Sequence, residues 1–112
     1  MDDRPALPLA PRDLLILSVL AAGALHGYGI IKAVEERSES GVLLDPANLY
    51  RCLRRMLADG WIDEVPGAAE RRRTYRITAE GRGILRSEVV RLQRLLKQVQ
   101  PALAGDAGGA AR

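Results

Sequence analysis

The stretch 45-DPANLYRCLRRMLADGWIDEVPGAAERRRTY-75 decides the fold. Asp45 and Pro46 form a strong helix start, because an aspartate side chain can accept from the unpaired first-turn N–H groups and proline suits the first helical position. The helix is predicted to run to Asp59, with Gly60 as its stop. Trp61–Val65 reads as a strand and Pro66–Ala69 as a turn. Arg73–Ile77 reads as the return strand, with Tyr75 and Ile77 pointing inward and Glu70, Arg71, Arg72 and Arg73 near the hairpin tip. Helix, strand, basic hairpin and strand in this order give the layout of a winged helix.

At about 100° per residue, Leu49, Leu53, Met56 and Leu57 share one face of the Asp45-capped helix, with Cys52 at its edge. Ala47, Asn48, Arg51, Arg54 and Arg55 fall opposite. That face is small and polar first and cationic further along, which is what a helix entering a DNA major groove needs. Asn48 suits adenine, and Arg51 suits guanine or a phosphate. Tyr50 lies on the flank, where its hydroxyl can donate to a phosphate. Arg71, Arg72 and Arg73 can grip phosphates or enter a narrow minor groove. Plain solvent exposure is the competing reading for each arginine alone, and their clustering on one face favours contact. Trp61 reads as core, with base stacking the lesser alternative.

Upstream, residues 1–10 read as an extended arm. A first helix is predicted from Pro11 to about Ala22, with Gly23 as its stop. Leu14, Leu15, Leu17, Val19 and Leu20 are spread widely around it, so it buries more than one side. Ala24–Gly29 is a turn into a second helix ending near Ser38, with Ile30, Ile31 and Val34 on its apolar face. His26, the sole histidine, reads as a turn residue bonded to backbone rather than as a ligand or base. Tyr28 reads as partly buried core. Val42–Leu44 is expected as a short strand.

Downstream, Thr78 caps a last helix running to about Gln100. Leu85, Val89, Leu92, Leu96 and Val99 are spaced four, three, four and three apart, a heptad-like stripe suited to a seam between helices. So long a helix after a complete small domain has little of its own chain left to cover it. Dimerisation is the expected use, and folding back on its own domain is the alternative. Pro101 is expected to end the helix, with residues 101–112 disordered.

The chain has 112 residues and one cysteine, so it is read as a single DNA-binding domain over residues 11–77, with a dimerisation helix over 78–100. Lone Cys52 excludes an intrachain disulfide, and a buried inert thiol is favoured over a redox switch. Residues 66–100 hold nine Lys/Arg against three Asp/Glu, whereas residues 1–40 hold four against six. Positive charge is thus gathered on the hairpin and the helix after it, as a polyanion-facing surface requires. No signal peptide or membrane span is legible, and a soluble cytoplasmic protein is expected. The fold class is mainly α with a small β-hairpin, a winged helix-turn-helix plus a long C-terminal helix.

Three separated motifs, LHGYGI, LYRCLRRMLADGWI and RRRTYRITAEGR, together resemble the PadR family of bacterial winged-helix transcriptional regulators, over about Leu14 to Leu96. The likeness is to its short branch, with a single C-terminal helix. The resemblance implies a homodimer built through the last and first helices, the Asp45-capped helix as the reading helix, and the Pro66–Arg73 hairpin as the wing. It also implies an inverted-repeat promoter target and usually repression. Asn48-Leu49-Tyr50 occupies the place where the family commonly has Thr-Leu-Tyr, so Asn48 is a departure at a contact position and no base preference carries over. Some members respond to small aromatic compounds through aromatic side chains on the last helix, which here has none. An effector site would lie between the first and last helices, near Leu15, Val89, Leu92 and Leu96.

A winged helix used only for protein interaction is the second reading, which the arginine-rich wing disfavours. An enzyme is the third. No paired-carboxylate site, phosphate loop or cysteine–histidine arrangement beyond His26 and Cys52 supports it, and no cofactor is expected.

Overall fold

A computed structural model describes residues 7–66 and 72–105. Helix α1 spans Pro11–Ala22 and starts, as predicted, on proline at its first position. The two-residue strand β1, Leu25–His26, leads into α2, Gly27–Arg37. Helix α3 spans Pro46–Ala58, followed by β2, Ile62–Glu64, and β3, Thr74–Ile77. Helix α4 spans Ala79–Val99 and passes into a 3-10 turn, Gln100–Leu103. The architecture is mainly helical, with a small sheet and a long last helix.

The sheet is antiparallel in the order β1-β3-β2. Glu64 and Leu25 both register against Tyr75, so β3 is the central strand. Strand β1 replaces the turn expected there. Two residues between Gly23 and a helix carry no strand period, and only the edge of β3 makes them one. The opposite correction applies at Val42–Leu44. The Val42 N–H donates to the Ser38 hydroxyl at 3.0 Å, and that hydroxyl donates to the Val42 carbonyl at 3.2 Å. With Glu39 and Ser40 at φ 52° and 64°, the segment is a side-chain-tied loop. Pro101 does not end the helical path at once, because it sits inside the 3-10 turn, where its missing N–H costs little.

The core is aliphatic. Ile16, Leu17 and Leu20 of α1 are buried against Ile30 and Val34 of α2, Leu49, Leu53 and Met56 of α3, and Ile62 of β2. Each such side chain contributes about 1.5–3 kcal/mol of transfer free energy. Trp61, Tyr75 and Ile77 join this core as expected. Tyr28 does not: it is 67% exposed, with the Lys32 ammonium 5.8 Å from its ring centroid.

The junction of α3, sheet and α4 is held by few groups. The Thr78 hydroxyl accepts from the Gly81 N–H at 3.0 Å and donates to the Gly60 carbonyl at 2.6 Å. Gly60 stands at φ +79°, the left-handed stop predicted for α3. Gly81 packs so closely on the Trp61 carbonyl that any Cβ there would collide with it.

Past that junction α4 still packs Ile84 and Leu85 on the core and Glu88 on the Leu9 backbone, and its residues 93–99 are exposed. Gly81 and Glu88 are its only buried residues. The radius of gyration is 16.8 Å, with extents of 56 × 35 × 22 Å, against about 13 Å for a compact domain of some 100 residues. Among the described residues no helix is long and apolar enough to cross a membrane.

Candidate nucleic-acid interface

The local chemistry of α3 sets its outward face. Asp45 is the N-cap, and its Oδ1 accepts from the Asn48 N–H at 2.8 Å. Its other oxygen accepts from the Asn48 side-chain amide at 3.0 Å, and Asn48 Oδ1 accepts from the Arg51 guanidinium at 2.6 Å. Asp45, Asn48 and Arg51 thus form a chain along the surface that fixes two of the predicted contact residues before any ligand arrives. An amide has two N–H donors and an oxygen with two lone pairs. Asn48 therefore keeps one donor and one acceptor for a base edge.

Ala47, Tyr50, Arg51, Arg54 and Arg55 are exposed and Asn48 is half-buried, so the polar face read from the sequence does lie away from the core. Arg55 differs from its neighbours. Its Nη2 donates to Asp13 Oδ2 of α1 at 2.5 Å, which draws the guanidinium toward the flank. Asp13 is largely buried in the first turn of α1, where a carboxylate also complements the helix dipole. Nothing local in the sequence announces this brace, because its partners stand 42 residues apart.

On the wing, Arg72 and Arg73 are exposed. Arg73 pairs with Glu64 at 3.3 Å, and Arg76 pairs with Asp63, directly opposite in the ladder, at 3.0 Å. These exposed pairs hold the strands in register at a gain of about 0–1 kcal/mol each. The wing tip, residues 67–71, lies outside the described residues, and Arg71 with it.

Between α3 and the β2–β3 hairpin is a cavity of about 250 Å³ lined by His26, Gly27, Tyr28, Tyr50, Arg72 and Arg73. His26 caps α2, its Nδ1 accepting from the Gly29 N–H at 3.0 Å, so the turn histidine is bonded to backbone as expected. Gly27 lets α3 approach: a Cβ there would stand 2.9 Å from the Tyr50 hydroxyl and 3.4 Å from Leu49.

Cys52 is buried beside Asp13. Burial first, and then the Asp13 charge, push its thiol above the ordinary value. On α4 the predicted stripe divides. Leu85 is half-buried and packs on the chain's own core, Leu92 is half-buried, and Val89, Leu96 and Val99 are exposed, as are Leu95 and Leu103. Leu15, expected with Val89, Leu92 and Leu96 around an effector, is half-buried on α1. A separate open hollow of about 490 Å³ lies along α4 beside Leu7, lined by Val90, Arg86, Ser87, Arg91 and Arg94.

The model of the transcriptional regulator PadR-like family matches residues 16–87. Among solved structures, a transcriptional regulator from Clostridium thermocellum is 29% identical, with a TM-score of 0.68 over 80% of this chain and 89% of its own. A PadR family transcription regulator from hypervirulent Clostridium difficile is 25% identical, with a TM-score of 0.69 over 85% of this chain and 100% of its own. An uncharacterized 37.1 kDa protein in a transposon of Streptomyces fradiae is 36% identical over 87 residues, 78% of this chain. The match spans only 24% of that relative's length.

Proposed function

The chain belongs to the PadR-like family of transcriptional regulators, and from that premise we propose that it is a homodimeric, sequence-specific DNA-binding repressor acting on an inverted-repeat promoter site. The observation that carries this reading is the Asp45–Asn48–Arg51 chain on the exposed face of α3. Such a chain lowers the entropy that two long polar side chains lose on meeting base edges. Arg54 on the same face, with Arg72 and Arg73 on the wing, supplies charge for the phosphates on either side. The exposed apolar residues Val89, Leu96 and Val99 on α4 are the seam for a second copy, which sets two reading helices at a fixed separation. Release by a small aromatic effector between α1 and α4 belongs to the same reading.

Selection of bound duplexes from a random pool tests it. The expected product is an inverted repeat whose half-sites are centred roughly one helical turn, about 34 Å, apart. A pool that shows no enrichment, with the same affinity before and after selection, contradicts the reading.

A further inference from the structure

The cavity between α2, α3 and the wing has a donor set with a definite preference. Its described lining holds two guanidiniums, two phenol hydroxyls and one imidazole, and no carboxylate. Arg73 also donates to Glu64, on the neighbouring strand, at 3.3 Å. Among the described residues Arg72 makes no ion pair. With Nδ1 of His26 accepting from the Gly29 N–H, the proton of a neutral ring is on Nε2, one more donor. Because that cap already serves the start of α2, the charge at the cavity comes from the arginines rather than from the helix end. A volume of about 250 Å³ equals roughly eight waters' share of liquid, room for one tetrahedral oxyanion and its ester arms.

We propose that this cavity is the seat of a single DNA backbone phosphodiester, gripped jointly by Tyr50 of the reading helix and Arg73 at the base of the wing, with Tyr28 and His26 as its floor. The inference deepens the DNA-binding reading and rests on it. Position favours a phosphodiester over a free phosphate. The cavity separates the two elements that the reading lays on the duplex, so the backbone running between base contacts and wing contacts passes over it. One phosphate then couples helix to wing, and the two do not bind independently. The binding displaces the weak Arg73–Glu64 pair, whose partners are both exposed. Gly27 becomes a residue of the seat, because any larger side chain pushes the Tyr50 hydroxyl out of it.

The test uses the selected duplex with one backbone phosphate at a time replaced by a neutral methylphosphonate, titrated with wild type, Tyr50→Phe and Arg73→Gln. At one phosphate per half-site the replacement is expected to cost wild type about tenfold in affinity, the worth of a charge-assisted contact. At that same phosphate both variants lose the sensitivity, while every other position behaves as in wild type. Gly27→Ala, with its fold checked by circular dichroism, is expected to mimic Tyr50→Phe. If the two substitutions couple to different phosphates, or to none, the shared seat is refuted while wild-type binding still supports the DNA reading. Failure of wild type to bind any selected duplex refutes both. A second arm adds inorganic phosphate to the unliganded protein at constant ionic strength. Saturable amide shifts at Gly27 and Tyr28 that disappear in Tyr50→Phe, together with displacement of DNA, would assign the seat to free phosphate and overturn the proposal.

Discussion

Asp13 illustrates how one side chain can hold down another. Its carboxylate binds the Arg55 guanidinium across two helices, and one of its oxygens is buried with no further hydrogen-bond partner. Replacing Asp13 with Ala removes a charge-assisted bond and is expected to lower stability by about 1–3 kcal/mol, read as a reduced denaturation midpoint by Trp61 fluorescence. Asp13→Asn keeps the shape but loosens Arg55. If Arg55 then neutralises a phosphate, the slope of log affinity against log salt steepens by about 0.9, whereas an unchanged slope means that Arg55 does not reach DNA even when released. Cys52, next to the same carboxylate, has its thiol pushed up by burial. It is expected to resist iodoacetamide in the native protein at neutral pH and to react once the chain is unfolded, followed by mass spectrometry. Ready alkylation of the folded protein would mean that α3 opens far more than its burial allows.

At the scale of elements, α3 and α4 are both fixed by caps that can be removed singly. Asp45→Ala is expected to cost about 0.5–2 kcal/mol and also to free the Asn48 amide, so it reduces discrimination between sequences more than an ordinary cap loss would. Helix α4 carries a buried charge. Glu88 accepts from Arg91 at 2.6 and 2.7 Å and from the Leu9 N–H at 3.0 Å. The Arg91 bonds chiefly, with the Leu9 N–H, hold its carboxyl below the ordinary 4.5 against the opposing effect of burial. A depressed acid stabilises the fold fully above about pH 4.5, and that contribution is lost as pH falls through the lower folded value. Acid unfolding of Glu88→Gln is expected to depend less on pH in that window than wild type. These elements also show what the sequence made legible. Asp45-Pro46, Thr78 and Gly60 announced their helix ends because capping is local chemistry, and the polar face of α3 followed from its period. Strand β1, the Ser38-tied loop, the Asp13–Arg55 brace and the Leu9–Glu88 tie were not legible. Each depends on a partner brought near only by the fold, and none leaves a periodic trace.

For the whole molecule, the proposed function makes the exposed stripe on α4 and the polar face of α3 work together. Val89, Leu96 and Val99 are exposed on α4, and leaving such a stripe in water forgoes about 25 cal/mol per Å² of apolar area. Leu96→Glu is expected to shift the protein from dimer to monomer in sedimentation while leaving the melting of the winged domain near wild type. A Leu96→Glu protein that sediments as wild type would move the seam elsewhere. With a monomer, each reading helix covers one half-site and the affinity for the full site collapses toward nonspecific binding. In the proposed function, two copies read two half-sites together. The decisive experiment is a titration of wild type by fluorescence anisotropy against the selected duplex, and against the same duplex with one half-site scrambled. Scrambling one half is expected to weaken binding at least about a hundredfold, the sum of several mismatches at about 1–3 kcal/mol each. Equal affinity for the two duplexes would mean that the half-sites are not read jointly.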